Sequence, residues 1–169
     1  RKVLSDLLNY ETDVAIVASP KARETQLHMV PFCTYPLVTF VSRRHPWNGR
    51  KSIGLKDFDG QRLIVREPSS MTRQLLFRAL RRAKAQPAAL IEIDSREASR
   101  EAVALGMGVG VMSAMEFPSL DPRSVAVPIR DPSLRITEYV ACLSKRRGLR
   151  TIREFFRSAA KRSEQLTND

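Results

Sequence analysis

Hydrophobic positions along the chain alternate between two spacings. Val3, Leu4, Leu7 and Leu8 recur at intervals of three and four and predict one face of a short opening helix. The stretch Asp13-Val14-Ala15-Ile16-Val17-Ala18 holds the longest purely apolar run and predicts a buried strand, stopped by Ser19-Pro20. Residues 27–32 and 36–42, rich in β-branched side chains, predict two more strands before Arg43-Arg44-His45-Pro46 breaks the pattern. A short helix follows over 52–58 and a strand over 62–66. Glu67-Pro68-Ser69-Ser70 is a loop leading into a helix over 71–84, with Leu75, Leu76, Ala79, Leu80 and Ala83 on one face. Residues 90–93 predict a strand, and Asp94-Ser95-Arg96-Glu97 reads as a capping box for a helix ending at Leu105. Strands over 109–112, 124–129 and 136–143 come next, then an amphipathic helix over 149–162. Strand and helix alternate throughout, which predicts an α/β fold with largely parallel sheets.

Size and charge narrow the picture. At 169 residues the chain can bury a real core, as one domain or as two small lobes sharing a hinge. No apolar run approaches the ~20 residues a membrane helix needs. No secretory apolar segment opens the chain, so a cytoplasmic location without membrane contact is expected. The sequence begins with Arg1, and a regular sheet would place a strand ahead of the opening helix, so a start inside a longer chain is expected. Cys33 and Cys142 lack CxxC spacing and read as reduced, buried thiols, with a disulfide as the alternative. The 29 basic residues exceed the 18 acidic ones, giving +11, which favours polyanions or small anionic ligands. Residues 44–128 hold 14 basic and 9 acidic side chains and the rest hold 15 and 9, so no separate basic tail exists. The one dense patch runs over 145–162, where eight basic residues face the single Glu154. Within it Arg150, Arg153 and Arg157 recur at helical spacing, with Ile152, Phe155, Phe156, Ala159 and Ala160 on the apolar face. This is either a solvated helix face docked on a sheet or a surface that meets an anionic partner.

Three segments could carry chemistry. Gly106-Met107-Gly108-Val109-Gly110 invites a dinucleotide-loop reading, but a helix precedes it and a strand follows, the reverse of that loop's order. Gly106 is better read as a helix C-cap, with Gly108 and Gly110 allowing close packing. Arg66-Glu67-Pro68-Ser69-Ser70-Met71-Thr72-Arg73 has the useful polarity, in which a strand ends and a helix begins. Free amides at such a helix start bind anions, Ser69, Ser70 and Thr72 can add hydroxyl donors, and Arg66 or Arg73 a bidentate partner. Simple N-capping by Ser69 or Ser70 is the other reading, and both can hold at once. Ser95 and Ser19, hydroxyls at the ends of strands, complete the candidate ligand-binding set, although a capping role alone also accounts for Ser95. His28 and His45 have no carboxylate or cysteine at metal-ligand spacing, and no Ser-His-Asp or Cys-His set is legible. No catalytic residue, metal or cofactor is therefore expected.

Several stretches together resemble a family. Asp13-Val14-Ala15-Ile16-Val17, the Arg43-Arg44-His45-Pro46 turn, Ser52-Ile53-Gly54-Leu55-Lys56-Asp57-Phe58 and the 102–111 stretch around Gly106, Gly108 and Gly110 match, in order and spacing, LysR-type transcriptional regulators. The resemblance covers nearly the whole chain. It implies the effector-binding domain, with the fold of type 2 periplasmic binding proteins: two α/β lobes joined by two crossover strands, with ligand in the cleft. The lobes are then expected at 1–43 with 129–169, and at 44–128, the first incomplete at its N-terminus. Within the family, the 66–73 stretch and Asp94-Ser95-Arg96-Glu97-Ala98 look most like a subgroup linked to aminoethylphosphonate use. The expected partners are a small anionic effector, a phosphonate or carboxylate, and a second copy in a homodimer or higher assembly. Operator DNA would be engaged only through a winged helix-turn-helix that this sequence lacks. A solute-binding protein of a transport system would share the fold and is the alternative; an enzyme on an α/β scaffold is a third class, without a catalytic set to support it.

Overall fold

The computed structural model describes residues 2–18, 26–117 and 121–168. Ser19, with Pro20 and Pro118, lies outside the described residues. The element order is α1 (Lys2–Leu8), β1 (Val14–Val17), β2 (Leu27–Ser42), β3 (Arg62–Val65), α2 (Met71–Ala83), β4 (Ala89–Glu92), α3 (Arg96–Ala104), β5 (Val109–Ser113), β6 (Ser124–Pro128), β7 (Arg135–Leu143) and α4 (Arg150–Asn168), with short 3-10 turns between some of them. The chain divides into two compact units, Arg1–Thr34 with Thr137–Asp169, and Tyr35–Ile136. Two strands, β2 and β7, run from one unit into the other.

The sequence pattern splits β2 in two, whereas the structure has one strand of 16 residues. Pro31 and Pro36 lie within it, and a proline's fixed φ is compatible with extended backbone where no ladder donor is required. The sheets are also less parallel than the alternation predicts. In the first unit β1 runs antiparallel to β7, with Val14 opposite Cys142 and Val17 opposite Tyr139. Leu7, Ala15 and Ala141 are buried together there, with Leu4, Val17, Leu27 and Met29 packed around them. His28, between Leu27 and Met29, stacks instead on Phe156 of α4 at 5.3 Å, as the alternation of a strand requires. The apolar line of α4 is narrower than its composition suggests. Ile152 is buried and Phe156 and Ala159 half-buried, while Phe155 is 45% exposed and Ala160 lies on the solvent side.

The second unit holds a sheet in the order β6-β2-β5-β3-β4. β3 pairs parallel with both β4 and β5, and β2 runs antiparallel to β5 and β6. Period-two alternation sorts its side chains into two layers. Leu63 and Val65 of β3 and Val109 of β5 join Leu76 and Leu80 of α2, with Trp47, Ile53 and Phe58. Ile64 of β3, Phe40 of β2 and Met112 of β5 join Ala102 and Val103 of α3. α2 and α3 therefore cover opposite faces of one sheet. Gly110 lies opposite Phe40, and a Cβ there would come within 2.2 Å of the Phe40 ring. Gly106, at φ +77°, ends α3 as the sequence predicts.

Candidate functional site

The parallel strands of the second unit carry their C-terminal ends to one edge of the sheet, the place where open α/β sheets bind ligands. The edge is made by the loop after β3, the short link after β4 and the turn after β5. Each sequence-predicted residue of this unit can be placed on it.

The loop after β3 is a tight turn in which the Ser70 amide donates to the Glu67 carbonyl at 3.0 Å. Gln74, in the first turn of α2, reaches back and donates its side-chain amide to the carbonyls of Pro68 at 3.1 Å and Ser69 at 3.4 Å. Those carbonyls are thereby held toward α2. Ser70 is the N-cap residue, extended at φ −61° and ψ 127°, and its hydroxyl makes no capping bond. The amides of Met71, Thr72 and Arg73 belong to the first turn, which no intrahelical acceptor can reach. Ser69 is exposed and donates to Glu67 Oε1 at 3.3 Å, while Ser70 and Thr72 are half-buried beside the same turn. Ser69, Ser70 and Thr72 are thus brought together around uncapped amides.

The two arginines have other work. Arg73 donates to the Arg66 carbonyl and to Glu92 Oε2, and its guanidinium lies 5.6 Å from the centre of the Phe77 ring. It ties the end of β3 and the end of β4 to α2. Arg66 donates through Nε to the Asp94 carbonyl at 3.2 Å, and its Nη2 lies 3.2 Å from Glu67 Oε2. Glu67 Oε2 is shut from solvent and receives no hydrogen bond, so that approach is a charge contact without donor alignment.

Ser95 caps α3. Its hydroxyl accepts the Ala98 amide at 3.2 Å and donates to Glu97 Oε2 at 3.0 Å. The predicted box would make Asp94 the cap and Glu97 its third residue; the structure starts the helix one position later, with Ser95 as cap. Bonding from its own amide, then from the Ser95 hydroxyl, holds the Glu97 carboxyl below the usual carboxylate range. Arg96 pairs with Glu116 at 2.7 Å and Arg100 with Glu97 at 3.6 Å. The arginines of this edge are therefore matched by carboxylates, and donors for an anion come chiefly from the α2 amides and hydroxyls.

Gln74 and Glu92 escape a reading by motif. Gln74 has a local signal, an amide side chain one turn into a helix and within reach of the preceding loop. Glu92 has none, because its partner Arg73 is 19 positions away. His45 is a packing residue. Its Nδ1 accepts the Trp47 amide at 3.2 Å, its ring meets Trp47 edge-on, and burial lowers its proton affinity. Among the described residues, no group of three or more His, Cys, Asp or Glu is placed to hold a metal ion. Among the same residues no helix is long and apolar enough to cross a membrane.

Comparison with known proteins gives this geometry a context. The model of the LysR substrate binding domain matches residues 1–164. The regulator CbbR of Xanthobacter flavus is 30% identical over 139 residues, covering 80% of this chain and 39% of that protein. CysL of Bacillus subtilis is 29% identical over 103 residues, covering 61% of this chain and 34% of that protein. The chain thus spans about a third of the length of the curated relatives it matches. Among solved structures, the regulatory domain of CcmR from Synechocystis superimposes with a TM-score of 0.83 at 26% identity, over 96% of this chain and 78% of that one. These relatives are transcriptional regulators, which disfavours the transport reading of the same fold. Two α/β units joined by two strands, and a family match over nearly the full length, place this chain in the LysR substrate-binding-domain family.

Proposed function

We propose that this chain is the effector-sensing domain of a bacterial LysR-type transcriptional regulator and that it binds a small anion at the start of α2. One observation carries the site assignment. The first turn of α2 keeps its amides uncapped beside Ser69, Ser70 and Thr72, at the C-terminal edge of parallel strands, while Gln74 ties back the nearby carbonyls. Such a turn favours negative charge through both its amides and the helix dipole. The CcmR regulatory domain is in complex with 2-PG, which supports a small-molecule effector for this domain as well. A phosphonate or carboxylate fits the donors, and an amine on the same ligand would find Glu67. The resemblance to the aminoethylphosphonate-linked subgroup makes that compound the first to test. Arg66 and Arg73 hold the loop, Ser95 orients the neighbouring link, and Ser19 remains a candidate from the first unit.

The domain works by binding and not by catalysis, in the cytoplasm, as a homodimer or higher assembly whose operator recognition lies in a separate winged helix-turn-helix. Lobe limits at 43/44 and 128/129 are part of the same reading. Calorimetry with aminoethylphosphonate, simple phosphonates, carboxylates and neutral controls tests the site. Ser70→Ala and Thr72→Ala are each expected to weaken the best anion about ten- to hundredfold, the worth of a hydrogen bond to a charged group. Unchanged affinity in both variants, or a best ligand that is neutral and apolar, refutes it.

A further inference from the structure

The positive charge on α4 is arranged differently from that of the second unit. Burial of Ile152, with Phe156, Ala159, Ser163 and Leu166 half-buried, fixes which side of α4 faces the first unit's sheet. Arg150, Arg153, Arg157 and Lys161 are left exposed, three or four positions apart. They form one stripe of about 16 Å along the helix. Arg157 is paired with Glu154 at 2.8 Å. Among the described residues, Arg150, Arg153 and Lys161 have no ion-pair partner, nor do Lys145 and Arg147 in the turn ahead of the helix. In the second unit Arg66, Arg73, Arg82, Arg96, Arg100 and Arg123 each meet a carboxylate, while Arg62, Arg78 and Arg81, exposed without an ion pair among the described residues, are divided between β3 and α2 and form no single stripe. Like charges one turn apart repel along a helix, so an external array of anions would relieve α4 where an internal partner does not.

We propose that this stripe is a contact surface for the phosphate backbone of duplex DNA, without preference for sequence. Backbone phosphates recur about every 3.4 Å of axis along one strand, so a stripe of this length faces several of them. Arginine's planar fork matches a phosphate's oxygens, and three of the four stripe residues are arginines. Phe155 is the one large apolar side chain exposed on α4 among the described residues. Successive bases of a single strand would need a row of such rings. Cations spaced along one straight helix face suit backbone phosphates, and contacts to phosphates carry no sequence information. The surface is independent of the effector site, and its test does not involve an effector.

The experiment measures anisotropy of two unrelated labelled duplexes with the 169-residue chain across low to moderate sodium chloride. Both duplexes are expected to bind within about twofold of each other, with log affinity falling against log salt at a slope of about −3, from three unpaired cations. The reversal Arg150→Glu/Arg153→Glu/Lys161→Glu is expected to weaken binding at least about tenfold. The matched reversal Arg62→Glu/Arg78→Glu/Arg81→Glu, on exposed arginines of the second unit, is expected to cost less than about threefold. Circular dichroism melts establish that each variant folds; if the reversal does not, Arg150→Gln/Arg153→Gln/Lys161→Gln takes its place, with the same direction expected. No binding at low salt, a slope near zero, or an equal loss in the matched reversal overturns the proposal. Equal competition by polyglutamate also overturns it, and would point to an acidic protein surface instead.

Discussion

α2 and α3 leave neighbouring parallel strands of one sheet, and each begins on a serine in extended conformation, yet the two serines do different things. Ser95 turns its hydroxyl onto the Ala98 amide and so consumes a donor of the α3 start. Ser70 makes no such bond, and Gln74 restrains the loop instead by gripping two carbonyls from inside the helix. One helix start is closed by its own cap. The other is held in place with its donors still available. The same residue type at equivalent positions thus acts as a stability element in one case and as part of a candidate site in the other, according to which side chain secures the loop.

The largest expected effect tests whether the two helix starts are separable. Gly110→Ala pushes a methyl group into the Phe40 ring on the α3 face of the sheet. Overpacking of this kind costs about 1–3 kcal/mol, read by urea unfolding. Anion affinity at α2, measured well below the unfolding midpoint, is expected to persist, and its loss would show that the two faces act as one. Next in size is the exchange of roles between the serines. Ser95→Ala is expected to lower stability by about 1 kcal/mol, the usual worth of an N-cap, while leaving anion affinity within experimental error. Ser70→Ala is expected to reverse that pattern, with affinity lost and the unfolding midpoint barely moved. Equal stability losses in both would mean that Ser70 caps α2 after all.

A smaller effect concerns the loop restraint. Gln74→Leu keeps the helix but removes both hydrogen bonds that hold the Pro68 and Ser69 carbonyls, and is expected to weaken anion binding indirectly and by less than Ser70→Ala does, about threefold to tenfold. The smallest effect is a pH dependence of the α2-side core. Burial depresses the pKa of His45 below its ordinary 6.5. The unfolded chain therefore takes up a proton first as pH falls. This contribution to stability is fully present above about pH 6.5 and is lost as pH drops through the lower folded value. His45→Gln is expected to flatten that part of the stability profile; an unchanged slope would assign it to another group.

Much of this was legible in local pattern. Period-two runs located the strands, and three-to-four spacing located α2 and part of the buried line of α4, because burial of one face imposes those periods, while a capping signature located α3. Gly106 could be read as a helix end and Gly110 as a point of close packing from the order helix, glycine, strand. The 66–73 stretch announced itself as a strand end followed by a helix start, with hydroxyls between. What the chain by itself determined was therefore which segments fold, which side of each is apolar, and where donors for an anion are available. Tertiary structure decided the rest. It joined 27–32 and 36–42 into one strand that serves both units, a choice that depends on partners about 70 to 100 positions away. It committed Arg73 to Glu92 across β3 and β4. Among the described residues it also left Arg150, Arg153 and Lys161 of α4 without carboxylates. Each of these outcomes depends on distant residues meeting through the sheet, and a linear pattern carries periodicity and local chemistry but not the identity of a partner across space.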